Sequence, residues 1–328
     1  MTFRAFRVFD EAGTLQGRVV DATLGELSPG DVIIRAAYSS VNYKDALAAT
    51  GAGKILRKYP LVGGIDLAGA VESSSDPRYQ PGDAVLVTGC ELSETHDGGY
   101  AQYARVKGDW VVPMPAGLDA RSAMALGTAG FTAALAIQRM EENGQESSNG
   151  PVVVTGATGG VGSLAVDMLS ARGYEVVAVS GKPQATPYLQ SLGAARVLAR
   201  QDIQYGQQML ENAQFAGAID NVGGEMLSWL TRSTKYGGNV ASVGLTGGAK
   251  LETNVMPFIL RAVNLLGIIS SATPRELRLA VWERIATDLA PRRLATIVTR
   301  EVDLQALPGA FGPYIDGAIT GRTLVRIR

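Results

Sequence analysis

The stretch VVVTGATGGVGSLAVDMLSAR, residues 152–172, decides the fold. Its first four residues form an apolar, β-branched run that is typical of a strand buried on both faces of a parallel sheet. Glycines follow at 156, 159, 160 and 162, and then comes a helical run from Ser163 to Arg172 that Gly173 can terminate. A strand, a glycine-rich turn and a helix in this order predict the phosphate-binding unit of a dinucleotide fold.

The glycine-rich turn is a variant of the G-x-G-x-x-G pattern, because Ala157 stands where the second glycine would be. Small residues still let the backbone turn sharply and approach a pyrophosphate. The N-terminus of the following helix presents free N–H groups and a partial positive charge. We therefore expect the cofactor to contact Thr158, Gly159, Gly160 and Val161.

The end of the second strand predicts which dinucleotide is bound. NAD sites usually place an acid there to hold the ribose 2′-hydroxyl. Here the strand ends in Ser180, Gly181 and Lys182, and no acid occurs from 176 to 201. Lys182 can pair with a 2′-phosphate, Ser180 can donate a hydrogen bond, and Arg200 can add a second charge. The sequence thus predicts NADPH, against the alternative that Lys182 is a solvated loop residue.

Strand and helix signals alternate along this half of the chain. The strand candidates are Val152–Thr155, Glu175–Val179, Arg196–Ala199, Ala216–Asp220, Asn239–Val243 and Leu265–Ile269. Six such strands separated by helical runs predict an α/β fold with a doubly wound parallel sheet, the Rossmann arrangement.

The flanking regions differ from this pattern. Residues 1–122 are rich in short β-type runs and turns, which predicts a compact β-rich domain. After Pro274 we expect a helix to about Leu289, a strand near 295–302, a helix near 304–319 and a last strand at 323–327. We place the first domain at 1–125, completed by 292–328, and the NADP-binding Rossmann domain at 126–291.

Composition excludes several classes of protein. The formal net charge is −1, from 30 Lys and Arg against 31 Asp and Glu, and Lys and Arg are spread along the chain without the extended basic patch of a nucleic-acid binder. This argues against a nucleic-acid partner. Cys90 and His96 are the single cysteine and histidine. They exclude an intrachain disulfide and leave a zinc site short of its usual ligands, so we predict no metal. His96 lies in a glycine-rich loop, where we expect it at the surface.

Signals for export or membrane insertion are absent from the sequence. Arg4 and Arg7 interrupt the N-terminal run MTFRAFRVFD, which therefore holds no signal-peptide core. The most apolar later stretch, residues 255–272, contains Pro257, Arg261 and Asn264. We expect a cytoplasmic protein without a membrane partner.

Five short motifs in order carry a resemblance that covers essentially the whole chain. They are VNYKDA at 41–46, KGDW at 107–110, GTAGFT at 127–132, VMPFILR at 255–261 and GRTLV at 321–325. With the turn at 155–162, they resemble the medium-chain dehydrogenase/reductase superfamily and, within it, the YhdH/AcuI branch. The resemblance implies a GroES-like catalytic domain beside the Rossmann domain.

The sequence departs from the zinc alcohol dehydrogenases of that superfamily. Those enzymes place a zinc-binding Cys where Asn42 stands and a zinc-binding His where Ile65 stands, and their Cys-rich loop for structural zinc is missing here. The resemblance therefore implies a zinc-independent, NADPH-dependent reductase that adds hydride to the activated C=C bond of a short enoyl-CoA, most simply acryloyl-CoA to propionyl-CoA. NADPH:quinone oxidoreduction is the alternative activity, and non-enzymatic NADPH binding is an alternative of another class.

The segment Asn42-Tyr43-Lys44-Asp45 holds the candidate catalytic residues. Tyr43 is a possible proton donor or cofactor contact. Asn42 could donate to a carbonyl oxygen or a ribose, or serve only as the N-cap of a helix. Lys44 and Asp45 could form an ion pair that orients the loop.

Further contacts with the cofactor are implied by the resemblance. They are Thr128 near the expected domain cleft, Leu245, Ser271 and Arg322, the last of which could instead meet a CoA phosphate or be a surface residue. We expect Asp66 to be structural rather than catalytic. Lys54, Arg57 and Lys58 could meet a CoA substrate or form a solvated face. The edge strand near 265–269 is expected to pair with a second subunit in a homodimer.

Overall fold

The computed structural model describes residues 2–328, and the chain forms two compact units. Unit 1 contains the residues up to 128, 270–286 and 297–328, and unit 2 contains residues 129–269 and 287–296. Residues 270–286 therefore pack with unit 1, although the sequence pattern predicts them in the Rossmann domain. One reason is Arg278, a buried residue whose guanidinium donates to the backbone oxygen of Thr88 at 2.7 Å.

The secondary structure comprises sixteen strands and nine α-helices within the described residues. The strands are β1 (Thr2–Glu11), β2 (Thr14–Thr23), β3 (Val32–Val41), β4 (Leu61–Val62), β5 (Asp66–Ser74), β6 (Ala84–Thr88), β7 (Tyr103–Val106), β8 (Val112–Pro113), β9 (Val152–Val154), β10 (Val176–Ser180), β11 (Arg196–Ala199), β12 (Phe215–Asp220), β13 (Thr234–Ser242), β14 (Asn264–Gly267), β15 (Val298–Asp303) and β16 (Arg322–Arg326). The helices are α1 (Tyr43–Thr50), α2 (Ala120–Glu142), α3 (Gly160–Ala171), α4 (Thr186–Ser191), α5 (Gly224–Ser233), α6 (Met256–Arg261), α7 (Arg275–Ala286), α8 (Leu294–Ile297) and α9 (Gly312–Ile315).

Unit 1 is built on two sheets. The larger has the order β15-β16-β3-β5-β6-β8, with β7 paired to β3, and the smaller has the order β2-β1-β4. Strand β3 is central, because it pairs antiparallel with β16 on one side and with β5 on the other. Phe6 anchors the core under the smaller sheet, with its ring 6.1 Å from that of Tyr100 and 5.4 Å from that of Phe311. These packed sheets bring the starts of α1, β5 and β16 together.

Unit 2 is a single parallel sheet with the strand order β11-β10-β9-β12-β13-β14. The order reverses beside β9, and this is the doubly wound arrangement that the alternating pattern predicts. Every residue of β9, β10 and β12 is buried, as expected for strands that helices cover on both faces. The predicted Rossmann sheet and β-rich partner domain are confirmed.

The expected helix over residues 304–319 is wrong. The structure has only a 3₁₀ turn at Leu307–Ala310 and the four-residue α9. Pro308 and Pro313 each lack an N–H, and Gly309 and Gly312 lower helix propensity, so the run holds no uninterrupted helical stretch. Helix α8 also takes the place where the sequence suggested the beginning of strand β15.

Helix α2 is long and apolar enough to cross a membrane by length and composition alone. However, 78% of its apolar window is buried inside the protein, which is the behaviour of a core helix. The helix is interrupted at Gly127, whose φ of 52° and ψ of −155° are non-helical. This break turns the backbone of Thr128 toward the start of β5.

Candidate active site and dinucleotide-binding turn

The carboxylate of Asp66 is the centre of a buried polar network in unit 1. It is fully buried at the start of β5. Its oxygens accept hydrogen bonds from Ser40 Oγ (2.7 Å), Asn42 Nδ2 (2.7 Å), Thr128 N (3.0 Å) and Thr128 Oγ1 (2.5 Å). Burial of a carboxylate is tolerated only with such a set of partners. Asp66 thus holds three chain segments together, which agrees with the structural role expected from the sequence.

Arg322 supplies the positive charge of this network. It is 2% exposed, and its Nη2 lies 3.9 Å from Asp66 Oδ2. Its other contacts are all with unit 1: Ala125 O at 3.0 Å, Val41 O at 3.2 Å, Asn42 Oδ1 at 3.0 Å and Ser40 Oγ at 2.7 Å. Arg322 is therefore an interior residue and not the surface arginine that the sequence left open. Its contact with a cofactor or a CoA phosphate stays a prediction.

Asn42 is the N-cap residue of α1, which is one of the two roles that its position suggested. It precedes α1 with extended backbone angles, φ −115° and ψ 159°, as an N-cap residue does. Its side-chain oxygen accepts from Arg322, while its Nδ2 donates to Asp66. The amide orientation is therefore fixed by the protein. In this arrangement Asn42 positions the start of α1, and its predicted contact with substrate or ribose stays a prediction.

Asp45 is a second buried carboxylate beside Asp66. It accepts hydrogen bonds from the backbone N–H groups of Asn42 at 2.8 Å and Ile65 at 2.9 Å. Burial, and next the nearby Asp66 charge, raise the pKa of Asp45 to about 7. The expected ion pair of Lys44 with Asp45 is wrong, because Lys44 pairs with Glu94. Successive residues of a helix point in different directions, which separates the two side chains.

Tyr43 is the first residue of α1 and has 41% of its surface exposed. Its side chain is therefore accessible, in contrast to the buried Asn42 and Asp45 that flank the pair Tyr43-Lys44. Gly127 lets the chain pass close to the Asp66 carboxylate, to which the N–H of the next residue, Thr128, donates. A Cβ at Gly127 would lie 2.5 Å from Asp66 Oδ2, so no larger residue fits without displacing the carboxylate.

His96 is buried and not at the surface as the sequence suggested. Its ring nitrogens lie 3.0 Å from Asp97 O and 2.9 Å from Pro29 O, and its ring packs edge-on against Trp110. The local glycine-rich sequence gave no sign of Pro29, which lies 67 residues away. Between residues 2 and 328 no group of three or more His, Cys, Asp or Glu side chains is arranged to hold a metal ion.

The glycine-rich turn of unit 2 has the shape that a dinucleotide requires. Gly156 adopts a left-handed φ of 56°, and Gly159 leads in extended backbone into the N-terminus of α3 at Gly160. A Cβ on Gly162 would lie 2.4 Å from the oxygen of Gly156, so only glycine permits the close packing of helix on turn. The free N–H groups of α3 suit a pyrophosphate. The half-buried Gly159, Gly160 and Val161 and the buried Thr158 stand in this turn.

A polar cluster beside this turn is not predicted from the sequence motifs. The buried Asp220 accepts from Thr155 Oγ1 at 2.6 Å and from Gly223 N at 2.7 Å, and burial raises its pKa. Asn221 Nδ2 donates to Thr155 O at 2.8 Å, whereas Asn221 Oδ1 is buried without a hydrogen-bond partner. The available signal was the pair Asp220-Asn221 at the end of β12, because carboxyl ends of neighbouring parallel strands share one edge. The unpaired oxygen is an acceptor that a ligand hydroxyl can fill.

The residues predicted to read the 2′-phosphate lie close together. Ser180 is buried at the end of β10, and its Oγ accepts the backbone N–H of Lys182 at 3.0 Å. The guanidinium carbon of Arg200 is 3.3 Å from the point where a Cβ on Gly181 would stand. Partial burial lowers the pKa of Lys182. Two basic side chains and a hydroxyl thus surround the end of β10, in keeping with a phosphate ligand.

Two other predicted cofactor contacts lie in different units. Leu245 follows β13 in unit 2 and is 65% exposed. Ser271 belongs to unit 1, where its Cα is 3.1 Å from the position of a Cβ on Gly89. Each stays a predicted contact.

A doubly wound sheet with a dinucleotide turn, joined in one chain to a β-rich unit with a buried polar network, defines the class of two-domain nucleotide-dependent oxidoreductases. Residues 28–116 match the alcohol dehydrogenase GroES-like domain family, and residues 160–287 match the zinc-binding dehydrogenase family.

The chain is 48% identical over 326 residues to a protein of Bacillus subtilis named as the quinone oxidoreductase YhfP, covering 99% of both chains. It is 49% identical over 319 residues to the acrylyl-CoA reductase AcuI of Ruegeria pomeroyi, covering 97% of this chain and 96% of that one. The crystal structure of the yhdH oxidoreductase from Salmonella enterica with NADP has a TM-score of 0.96 and 46% identity, with both chains fully covered. That of B. subtilis yhfP with NAD has a TM-score of 0.97 and 47% identity, again over both whole chains.

The chain belongs to the medium-chain dehydrogenase/reductase superfamily and is an oxidoreductase of its AcuI, YhdH and YhfP branch. The resemblance seen in its motifs is thereby confirmed.

Proposed function

We propose that the chain is a zinc-independent, NADPH-dependent reductase of short enoyl-CoA thioesters, with acryloyl-CoA reduced to propionyl-CoA. The observation that carries this proposal is the network of Asn42, Asp66 and Arg322. Hydrogen bonds and an arginine cation occupy the region where a zinc enzyme of this superfamily has its metal ligands. Reduction of an unactivated carbonyl without a Lewis acid is difficult, whereas the β-carbon of an enoyl thioester is already electrophilic. The AcuI relative is named for this activity.

The choice of NADPH is supported by the surroundings of β10. Lys182 and Arg200 can neutralise a 2′-phosphate and Ser180 can donate to it, and residues 176–201 include no acid to hold a ribose 2′-hydroxyl. The relative from S. enterica was solved with NADP, and the one from B. subtilis with NAD. Thr158, Gly159, Gly160 and Val161 would hold the pyrophosphate. When bound, NADPH supplies the hydride.

The chain's own residues would position the reaction and supply a proton. Tyr43 is the exposed phenol at the start of α1 and is our candidate donor to the substrate α-carbon. The Thr128 hydroxyl donates its hydrogen to Asp66, so its oxygen can only accept from a further partner. Asn42 keeps α1 and therefore Tyr43 in place through its two fixed amide contacts.

The first test is the oxidation of NADPH at 340 nm with acryloyl-CoA, crotonoyl-CoA and a benzoquinone, with NADH run in parallel. Rapid turnover of acryloyl-CoA with NADPH supports the proposal, and enzyme dialysed against EDTA should retain full activity with no zinc by elemental analysis. Turnover of the quinone alone would refute the thioester activity and favour the second candidate, which the name of the YhfP relative supports. NADPH binding without turnover of any acceptor would favour the non-enzymatic alternative.

We also propose that the enzyme is a homodimer that joins through the β14 edge of unit 2. Val255, Ile259 and Leu260 near or in α6 and Ile269 after β14 are large apolar residues with more than half of their surface exposed. Strand β14 ends the sheet, and an unpaired edge next to apolar side chains suits a second copy. Light scattering should give twice the subunit mass, and Ile259→Lys should give a monomer; a monomeric wild type would refute the dimer.

We further propose that the enzyme is cytoplasmic, which cell fractionation tests.

A further inference from the structure

A basic segment at residues 54–59, with the sequence KILRKY, has no role in the site described above. It carries three cations in five residues, Lys54, Arg57 and Lys58, and all three side chains are exposed. No Asp or Glu occurs anywhere in residues 46–65. The segment therefore concentrates positive charge in a chain whose formal net charge is −1.

These positive charges are not neutralised within the described part of the chain. Lys54 and Arg57 have no side-chain hydrogen bond or ion pair, and the amine of Lys58 donates only to the hydroxyl of Ser28, at 3.2 Å. Surface cations of folded proteins commonly have an acid within reach, as Arg78 has here with two of them. An unpaired cluster of this kind attracts an anionic ligand.

The basic segment is held in a fixed place. Leu56, at its centre, is buried in the core of unit 1, and Ile55 packs against the same core. The backbone N–H of Arg57 donates to Glu94 O at 2.7 Å. Such anchoring reduces the entropy that the segment would lose on binding a ligand.

The same contacts place the segment beside the candidate active site. Glu94, which accepts from the backbone of Arg57, pairs through its carboxylate with Lys44. Lys44 directly follows the exposed Tyr43. One hydrogen bond and one ion pair thus connect the basic segment to the first turn of α1.

We propose that the basic segment binds the nucleotide end of the CoA thioester, an inference that rests on the proposed function. That end of CoA carries a pyrophosphate, a 3′-phosphate and an adenine. Lys54, Arg57 and Lys58 are the phosphate partners, and the partly exposed ring of Tyr59 offers a face on which the adenine stacks. The flexible pantetheine arm leads from these phosphates to the acyl group at Tyr43. The phosphates of NADPH, in contrast, belong to unit 2.

The test compares wild type with the double variant Lys54→Ala/Arg57→Ala and with Arg326→Ala. Arg326 is a matched control, since it is an exposed arginine of unit 1 without a side-chain partner. Calorimetric titration of CoA into the full-length enzyme with saturating NADP⁺ should give about ten-fold weaker binding for the double variant. Binding should be unchanged for Arg326→Ala. Equal CoA affinity of wild type and double variant would overturn the proposal.

A kinetic comparison separates this site from a general defect. With acryloyl-CoA, kcat/KM of the double variant should fall about ten-fold, and with acryloyl-pantetheine, which lacks the nucleotide, it should not change. An equal loss on both thioesters would overturn the site. If wild type binds CoA through the segment but reduces neither thioester, the proposed function fails and the site stands. If wild type reduces acryloyl-CoA and the double variant does so equally well, the site fails and the function stands.

Discussion

Replacing Arg322 with alanine removes the positive charge of the buried network in unit 1. Asp66 would remain buried without the counter-ion that now lies 3.9 Å away. The four acceptors that Arg322 serves, on Ala125, Val41, Asn42 and Ser40, would each lose a donor. At 3.9 Å and an effective dielectric constant of about 20, the lost attraction is about 4 kcal/mol. This agrees with the range of roughly 3–5 kcal/mol for breaking one partner out of a buried pair. Unit 1 would lose a large part of its stability.

Hydrogen exchange measured by mass spectrometry suits this test, because it reports each unit separately. We expect peptides from β3 and β5 to exchange about a thousand-fold faster in Arg322→Ala, which is about 4 kcal/mol expressed as a ratio. Peptides from β12 in unit 2 should be unaffected. Arg322→Lys should recover part of the protection, since lysine keeps the charge but cannot serve all four acceptors.

Arg326→Ala is the control for this prediction, because Arg326 lies on the same strand but is exposed. Its effect should stay within about 0.5 kcal/mol. Wild-type exchange of β3 and β5 in Arg322→Ala, or an equal acceleration in Arg326→Ala, would show that the network does not stabilise unit 1 as argued.

Three further predictions concern cofactor choice, pH and packing. Replacing both Lys182 and Arg200 with alanine should raise the Kd for NADPH about ten-fold and leave that for NADH unchanged, as measured by fluorescence titration; an equal loss for both would contradict the phosphate assignment. The folded-state pKa of Asp45 is raised from 3.8 to about 7, so wild type should lose stability relative to Asp45→Asn as the pH rises between these two values. Above pH 7 the difference in free energy of unfolding between the two proteins should be constant. Urea unfolding at pH 5 and pH 8 measures this, and a difference independent of pH would refute it. Gly162→Ala should cost about 1–3 kcal/mol and weaken NADPH binding, because its Cβ would stand 2.4 Å from a backbone oxygen. Gly309→Ala is the control, because an added Cβ there has no neighbouring atom within 4 Å, and it should change neither the stability nor NADPH binding. Equal melting temperatures of the two variants would argue against the tight turn.

Local patterns in the sequence were sufficient to predict unit 2. Each strand of its sheet is a short apolar run, and the glycines after β9 are required by close backbone approach, so the signals are contained within about twenty residues. The same holds for the grouping of Ser180, Lys182 and Arg200, because parallel strands end at one edge of the sheet.

The network in unit 1 could be predicted only in part, because its contacts join distant segments. Tyr43, Asn42 and Arg322 were named from motifs, but nothing in those motifs shows that the amide of Asn42 lies between Asp66 and Arg322. The sequence predicted His96 at the surface for the same reason, since its contact with Pro29 joins residues that lie 67 positions apart. The pKa of Asp45 also depends on burial by the whole of unit 1, which short patterns do not contain.

The pairing of β16 with β3 also affects how the protein is made. Arg322 reaches Asn42 across 280 positions of sequence, so the cation is synthesised long after Asp66, the carboxylate that it neutralises. At a translation rate of roughly 5–20 residues per second, Asp66 is without its counter-ion for roughly 13–50 seconds. The buried network therefore forms late, and the strands of the single sheet of unit 2, which all precede Arg322 in sequence, can pair before it. During that interval the nascent first unit lacks the ion pair between Arg322 and Asp66.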